Sequence, residues 1–122
     1  MIFNNESYTF DSKAEMTHFA KLGNRLKRGQ IERLKLQPQF TLQEGFKLNT
    51  DKTKSGKTKV PSMVYTPDFY YIENGKTIVV EVKGFSDTAF NIRKRLFLAM
   101  LEEFDVDEYQ LVFKDKIERY WR

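Results

Sequence analysis

Two carboxylates and a lysine, Asp68, Glu81 and Lys83, lie in the segment Val64–Lys83 (VYTPDFYYIENGKTIVVEVK). Two β-rich runs there flank Asn74-Gly75, the strongest short-range signal for a two-residue hairpin turn. With Asn74 and Gly75 as the turn, Glu73 faces Lys76, and because every later pair keeps the same index sum, Asp68 falls directly opposite Glu81. Lys83, two residues on, projects from the face that carries Glu81. Facing carboxylates repel, by roughly 0.2–1 kcal/mol on the scale of cross-strand pairs. A divalent cation between them offsets that repulsion, and an ammonium on the same face adds a fixed positive charge where a phosphate can approach. These are the needs of phosphodiester hydrolysis: a metal to activate water and stabilise developing charge, and an ammonium to orient the water or hold the phosphate.

The elements around the hairpin follow from capping and periodicity. Ser12-x-x-Glu15 is a capping-box pattern, after which Met16, Phe19, Ala20, Gly23 and Leu26 recur at helical spacing and Gly29 stops the helix. Ile31–Leu42 (IERLKLQPQFTL) alternates as extended structure, interrupted or kinked at Pro38. The segment 44–62 carries few apolar residues and reads as a flexible basic loop. Thr88–Phe104 fits a second helix, capped by Asp87 or Thr88, with Ala89, Ile92, Leu96, Ala99 and Met100 on one face. A last strand, Tyr109–Phe113, precedes a short C-terminal helix with Tyr120 and Trp121. This order predicts one α/β (α+β) domain over residues 1–122, a mixed central sheet with an antiparallel hairpin, flanked by helices.

Bulk properties narrow the chemistry. The 122 residues suit one core, and with no cysteine any metal must be held by carboxylates, backbone or water, which favours a hard cation. The net charge of +4 favours an anionic partner. Gly45–Val60 alone holds five lysines against one aspartate, and a further basic run is Arg93-Lys94-Arg95. MIFNNESYTF has no basic stretch followed by an apolar run, and no segment approaches the ~20 apolar residues that cross a bilayer, so a cytoplasmic protein is expected.

Pro67-Asp68, followed by Glu81-Val82-Lys83, resembles the signature of the PD-(D/E)XK nuclease superfamily. The stretch from about Phe10 to Leu101 is most similar to small phage-encoded endonucleases, with Asp11-Ser12-Lys13-Ala14-Glu15, the Gln37-Pro38 strand, Tyr65-Thr66-Pro67-Asp68-Phe69 and Val79-Val80-Glu81-Val82-Lys83-Gly84 in that order. The resemblance implies a restriction-endonuclease-like core and a catalytic set of Glu15, Asp68, Glu81 and Lys83. Asp68 and Glu81 would bind Mg²⁺, with Mn²⁺ as a substitute, helped by the backbone carbonyl of Val82 and by Glu15 directly or through water. Lys83 would orient the attacking water. The implied activity is that of a Holliday junction resolvase, a homodimer cutting branched DNA during recombination, in the host cytoplasm if phage-encoded. The lysine-rich stretch before Pro67 departs from minimal members of the superfamily.

Each residue taken singly has a plainer reading. E-x-K is a common exposed strand pattern, an Asp after Pro often opens a strand, and Glu15 is already explained as a capping-box residue. The conjunction on one hairpin face favours the site. His18, the only histidine, reads as a packing or surface residue, and Tyr70 as a neighbour of the site because it shares the face of Asp68. Lys52, Lys54, Lys57, Lys59, Arg93, Lys94 and Arg95 are the candidates for DNA contact, since lysines that meet phosphates release counterions. Two alternatives stand beside the resolvase: a nuclease for flaps, nicking or DNA packaging, and a non-catalytic nucleic-acid-binding module of the same fold.

Overall fold

A computed structural model describes residues 12–84, 87–113 and 116–122, together with the strand backbone of β1 (Ile2–Phe3) and β2 (Glu6–Ser7), which pair antiparallel. Asp11, named in the motif above, lies outside the described residues. Helix α1 (Lys13–Lys27) begins at Ser12, whose side chain accepts the Glu15 backbone N–H at 3.1 Å. It ends in a Schellman arrangement: Gln30 N–H reaches the Arg25 carbonyl at 2.9 Å and Gly29 N–H the Leu26 carbonyl at 3.1 Å. Gly29, at φ +74°, supplies the left-handed residue this closure needs.

Five strands form the central sheet: β3 (Glu32–Leu36), β8 (Phe69–Glu73), β9 (Lys76–Lys83), β10 (Glu108–Phe113) and β11 (Lys116–Trp121). Their order across the sheet is β11-β10-β9-β8-β3. Only β9 and β10 run parallel; the other three pairings are antiparallel, so the sheet is mixed. Helix α2 (Thr88–Ala99) makes the crossover between the two parallel strands and is capped by Asp87, whose carboxylate accepts Phe90 N–H at 2.8 Å. Asn74 and Gly75, both at positive φ, close the β8–β9 hairpin in the register expected, from Glu73↔Lys76 to Phe69↔Val80.

Strand β9 is buried on both sides, which explains its near-continuous apolar run. On one side Ile78, Val80 and Val82 meet Phe69, Tyr71 and the α1 residues Phe19 and Leu22. On the other, Val79 meets Phe90, Phe97, Leu101, Val106, Tyr109 and Tyr65. The α+β layering expected from the element order is therefore present.

Three local expectations are corrected. The segment 44–62 is not a loop: β4 (Phe40–Gln43) pairs with β7 (Met63–Tyr65), and beyond them β5 (Phe46–Asn49) pairs with β6 (Lys57–Val60). The pairing in this two-stranded ribbon is held by the backbone ladder from Phe46↔Val60 to Asn49↔Lys57 and not by burial of apolar side chains. Gly45 is needed where the ribbon narrows, since a Cβ there would lie 3.0 Å from the Val60 carbonyl.

Helix α2 ends at Ala99 rather than Phe104, and it buries Phe90 and Phe97 instead of the Ile92–Leu96 face; Ile92 is 50% and Leu96 39% exposed. The two phenylalanines, seven residues apart on one stripe, have the larger apolar area to remove from water and set the orientation.

The C-terminal segment with Tyr120 and Trp121 is the edge strand β11, not a helix. Backbone pairing with β10 along its whole length outweighs what an isolated helix of that size could gain, because helix nucleation is costly in short segments.

Candidate active site

The hairpin, the start of α1 and the start of α2 converge on an open cleft of about 410 Å³ lined by Ser12, Glu15, Thr66, Asp68, Glu81, Val82, Lys83, Gly84 and Asp87. The four residues expected to be catalytic, Glu15, Asp68, Glu81 and Lys83, thus border one space. They arrive by different routes. Glu81 and Lys83 alternate to the α2 side of β9, Asp68 immediately precedes β8, and Glu15 stands in the first turn of α1.

Asp68 departs from a regular cross-strand pair. The ladder stops at Phe69↔Val80, and the Asp68 N–H also turns to the Val80 carbonyl, at 3.0 Å. Its carboxylate instead accepts the backbone N–H of Val82 at 2.7 Å, reaching past Glu81 along β9. The sequence register is therefore followed up to the site and broken at it.

Glu81 is the buried member, 6% exposed. Its Oε1 accepts the Tyr65 hydroxyl at 2.8 Å, and that hydroxyl lies 2.8 Å from the hydroxyl of Tyr109. Burial pushes the Glu81 carboxyl up, and the hydrogen-bonded Asp68 carboxylate beside it pushes further; the Tyr65 hydroxyl and the Lys83 charge pull the other way without prevailing. Both tyrosines are held above the usual phenol range, chiefly by desolvation, so they are neutral donors. The Lys83 ammonium rests 4.4 Å from the centre of the Phe90 ring, and among the described residues it has no ion pair.

A hard divalent cation fits this donor set. Asp68 and Glu81 offer carboxylate oxygens, Val82 borders the cleft with its backbone, and neither carboxylate is neutralised by a salt bridge among the described residues. A carboxyl driven to hold its proton by burial and by a neighbouring carboxylate is what a bound cation would relieve. Glu15 lines the same cleft from the first turn of α1.

The remaining candidates are distributed. Lys52 and Lys54 lie at the ribbon tip and Lys57 and Lys59 on β6, all exposed. Arg93 is half-buried, its Nε bonded to the Val64 carbonyl at 3.2 Å; Lys94 lies 5.8 Å from the Phe90 ring; Arg95 is exposed. None of these seven borders the cleft. Tyr70 shares the sheet face of Asp68 but packs away from the cleft, with the Lys35 ammonium 5.0 Å from its ring. His18 is half-buried between Phe69 and the solvent, its pKa lowered first by burial and then by Lys21.

Tyr65 and Tyr109 are not legible as site residues in the sequence. Tyr65 carries one usable signal, its place in the Tyr-Thr-Pro-Asp run; Tyr109 carries none, since only the parallel pairing of β10 with β9, Tyr109 beside Val79, brings it under Glu81.

Fold and site together define an α+β protein with a carboxylate–lysine cleft at the end of a mixed sheet. The chain belongs to the family described as protein of unknown function (DUF1064), whose model matches residues 3–116. No curated protein matches it in sequence. Among the described residues no helix is long and apolar enough to cross a membrane.

Proposed function

We propose that the protein is a Mg²⁺-dependent endodeoxyribonuclease of the PD-(D/E)XK type, acting as a Holliday junction resolvase on branched DNA. The observation that carries this reading is the meeting of Asp68, Glu81 and Lys83 in one open cleft, with the Glu81 carboxyl buried beside Asp68 and in no salt bridge among the described residues.

Asp68 and Glu81 would hold the cation, which when bound would supply Lewis-acid stabilisation of the scissile phosphate and acidify a water. The chain's own groups do the rest. The Val82 N–H holds the Asp68 carboxylate in place, and the Tyr65 hydroxyl does the same for Glu81. Lys83, carried two residues beyond Glu81, lines the same cleft, and its ammonium, now over the Phe90 ring, would turn to orient the attacking water and face the phosphate. Glu15 approaches from α1 and can accept a proton or hold a water across the cleft. The lysines of the ribbon and Arg93, Lys94 and Arg95 would meet backbone phosphates.

No separate sequence-reading element such as a helix-turn-helix is among the described residues, which supports recognition by DNA shape. Paired cuts across a four-way junction require two-fold symmetry, so the active species would be a C2 homodimer.

The test is cleavage of a labelled four-way junction against a matched linear duplex, with Mg²⁺ and with an Asp68→Ala control. Preferential junction cutting that is lost in the control is expected. Equal cutting of both substrates removes the resolvase reading and leaves the nuclease; no cutting of any DNA removes both.

A further inference from the structure

We propose that the ribbon β5–β6 is a finger that grips double-stranded DNA beside the cleft, with a lysine face for phosphates and an apolar face for the groove wall. The inference rests on the nuclease reading of the cleft and adds to it the form of nucleic acid that is held and the element that holds it.

Its register sorts the side chains. The pairs Lys47↔Lys59 and Asn49↔Lys57 share one face; Phe46↔Val60 and Leu48↔Thr58 share the other. Two lysines directly opposite each other repel, and among the described residues none of Lys47, Lys52, Lys54, Lys57 and Lys59 has an acidic partner within ion-pair distance. The second face leaves Phe46 41% and Leu48 54% exposed. β5 and β6 pair only with each other, and all of β5 together with Lys57 and Lys59 of β6 is exposed, while Thr58 and Val60 are half-buried.

The finger is built rather than slack. Thr50 N–H bonds to the Gly56 carbonyl at 2.9 Å, extending the ladder by a step, and the Thr53 hydroxyl ties the tip to the Lys57 carbonyl at 2.8 Å. It is also anchored at the site. The strands lead straight into β4 and β7, where Arg93 bonds Val64 and Tyr65 bonds Glu81, and the chain continues into Thr66 and Asp68 of the cleft. The base of the finger is therefore tied to the strand that carries Glu81.

Duplex DNA is the partner these features fit best. A two-stranded ribbon enters a major groove roughly 12 Å wide, and the paired length, at about 3.4 Å per residue, gives a reach of roughly 15 Å. Lysines along one face suit the closely spaced phosphates of a duplex. Single-strand binders present a series of aromatic platforms, whereas Phe46 is the only aromatic residue between Gly45 and Val60.

The full chain, freed of metal with EDTA, is titrated into a short labelled linear duplex over a series of salt concentrations and followed by fluorescence anisotropy. The double variant Lys47→Ala/Lys59→Ala is expected to lower the slope of log affinity against log salt by about 2, at roughly 0.9 for each phosphate that is no longer neutralised. Phe46→Ala is expected to weaken binding at every salt concentration with the slope unchanged. Parent-like affinity and slope in the lysine variant, or tighter binding to single strands than to duplex, overturns the proposal. Hydrolysis of a small activated phosphodiester with Mg²⁺ or Mn²⁺ tests the cleft separately. Hydrolysis together with unaltered DNA binding in the variants retains the nuclease and removes the finger; the reverse pattern retains the finger and removes the nuclease.

Discussion

The hydroxyl of Tyr65 donates to Oε1 of Glu81 at 2.8 Å, across a boundary between two separate β-structures. Tyr65 ends the base of the ribbon and Glu81 belongs to the central sheet, so one hydrogen bond joins the basic finger to the candidate catalytic strand. Tyr109 of β10 lies 2.8 Å from the same hydroxyl, which makes a chain of buried hydroxyls ending on a carboxyl.

Tyr65→Phe removes the donor and leaves both Glu81 and Tyr109 short of a partner in a buried place. A loss of about 1–3 kcal/mol in unfolding free energy is expected, the range for a buried polar group left unsatisfied. Denaturant unfolding of the parent and the variant measures it; equal midpoints and slopes would mean the chain of hydroxyls contributes no stability.

Stability without metal should depend on pH through Glu81. Its carboxyl is raised from 4.5 to about 9, chiefly by burial, so in this range the folded protein keeps a proton that the unfolded chain has released. Stability therefore falls as pH rises from about 4.5 towards 9, by at most about 1.4 kcal/mol per pH unit. Thermal melts in EDTA should show this decline, Glu81→Gln should flatten it, and Mg²⁺ should oppose it at the alkaline end. A parent and a Gln variant with the same pH profile would contradict the assignment.

Asp68→Asn separates charge from structure. The amide oxygen can still accept the Val82 N–H, so the melting temperature should stay near that of the parent, while Asp68→Ala should lower it by leaving that N–H unpaired. Junction cleavage should fall in both, by on the order of a hundredfold or more. Glu81→Ala and Lys83→Ala should lose cleavage to a similar degree, and Glu15→Ala less. Full activity in Asp68→Asn would remove Asp68 from the site.

The orientation of α2 can be checked by two truncations on one helix. Phe97 is fully buried against Phe40, Tyr65, Phe104 and Tyr109, and its change to Ala should cost about 3–5 kcal/mol. Ile92→Ala, at a half-exposed position, should change stability by no more than about 0.5 kcal/mol. Comparable losses at the two positions would show that the other face is buried.

The chain is legible wherever its determinants are local. Ser12 and Glu15 mark the start of α1 because an N-cap is satisfied within one turn, and Asn74-Gly75 sets the hairpin because its backbone demands positive φ at two successive residues. From that turn the register runs down to Phe69↔Val80, close enough to bring Asp68, Glu81 and Lys83 to one cleft. The ribbon of 44–62 and the strand β11 are not legible in the same way, because their pairing is held by backbone hydrogen bonds that leave little apolar pattern in exposed residues.

The sequence by itself determined the hairpin, both helix starts and the identity of the carboxylate–lysine set, all of which depend on residues within a turn or a strand of each other. Only the tertiary structure decided which face of α2 is buried, how Asp68 leaves the ladder to hold Val82, and that Tyr65 and Tyr109 lie beneath Glu81. Those outcomes depend on competition for buried area and for hydrogen-bond partners between segments distant in the chain, and neither quantity exists until the sheet and its two helical layers have assembled.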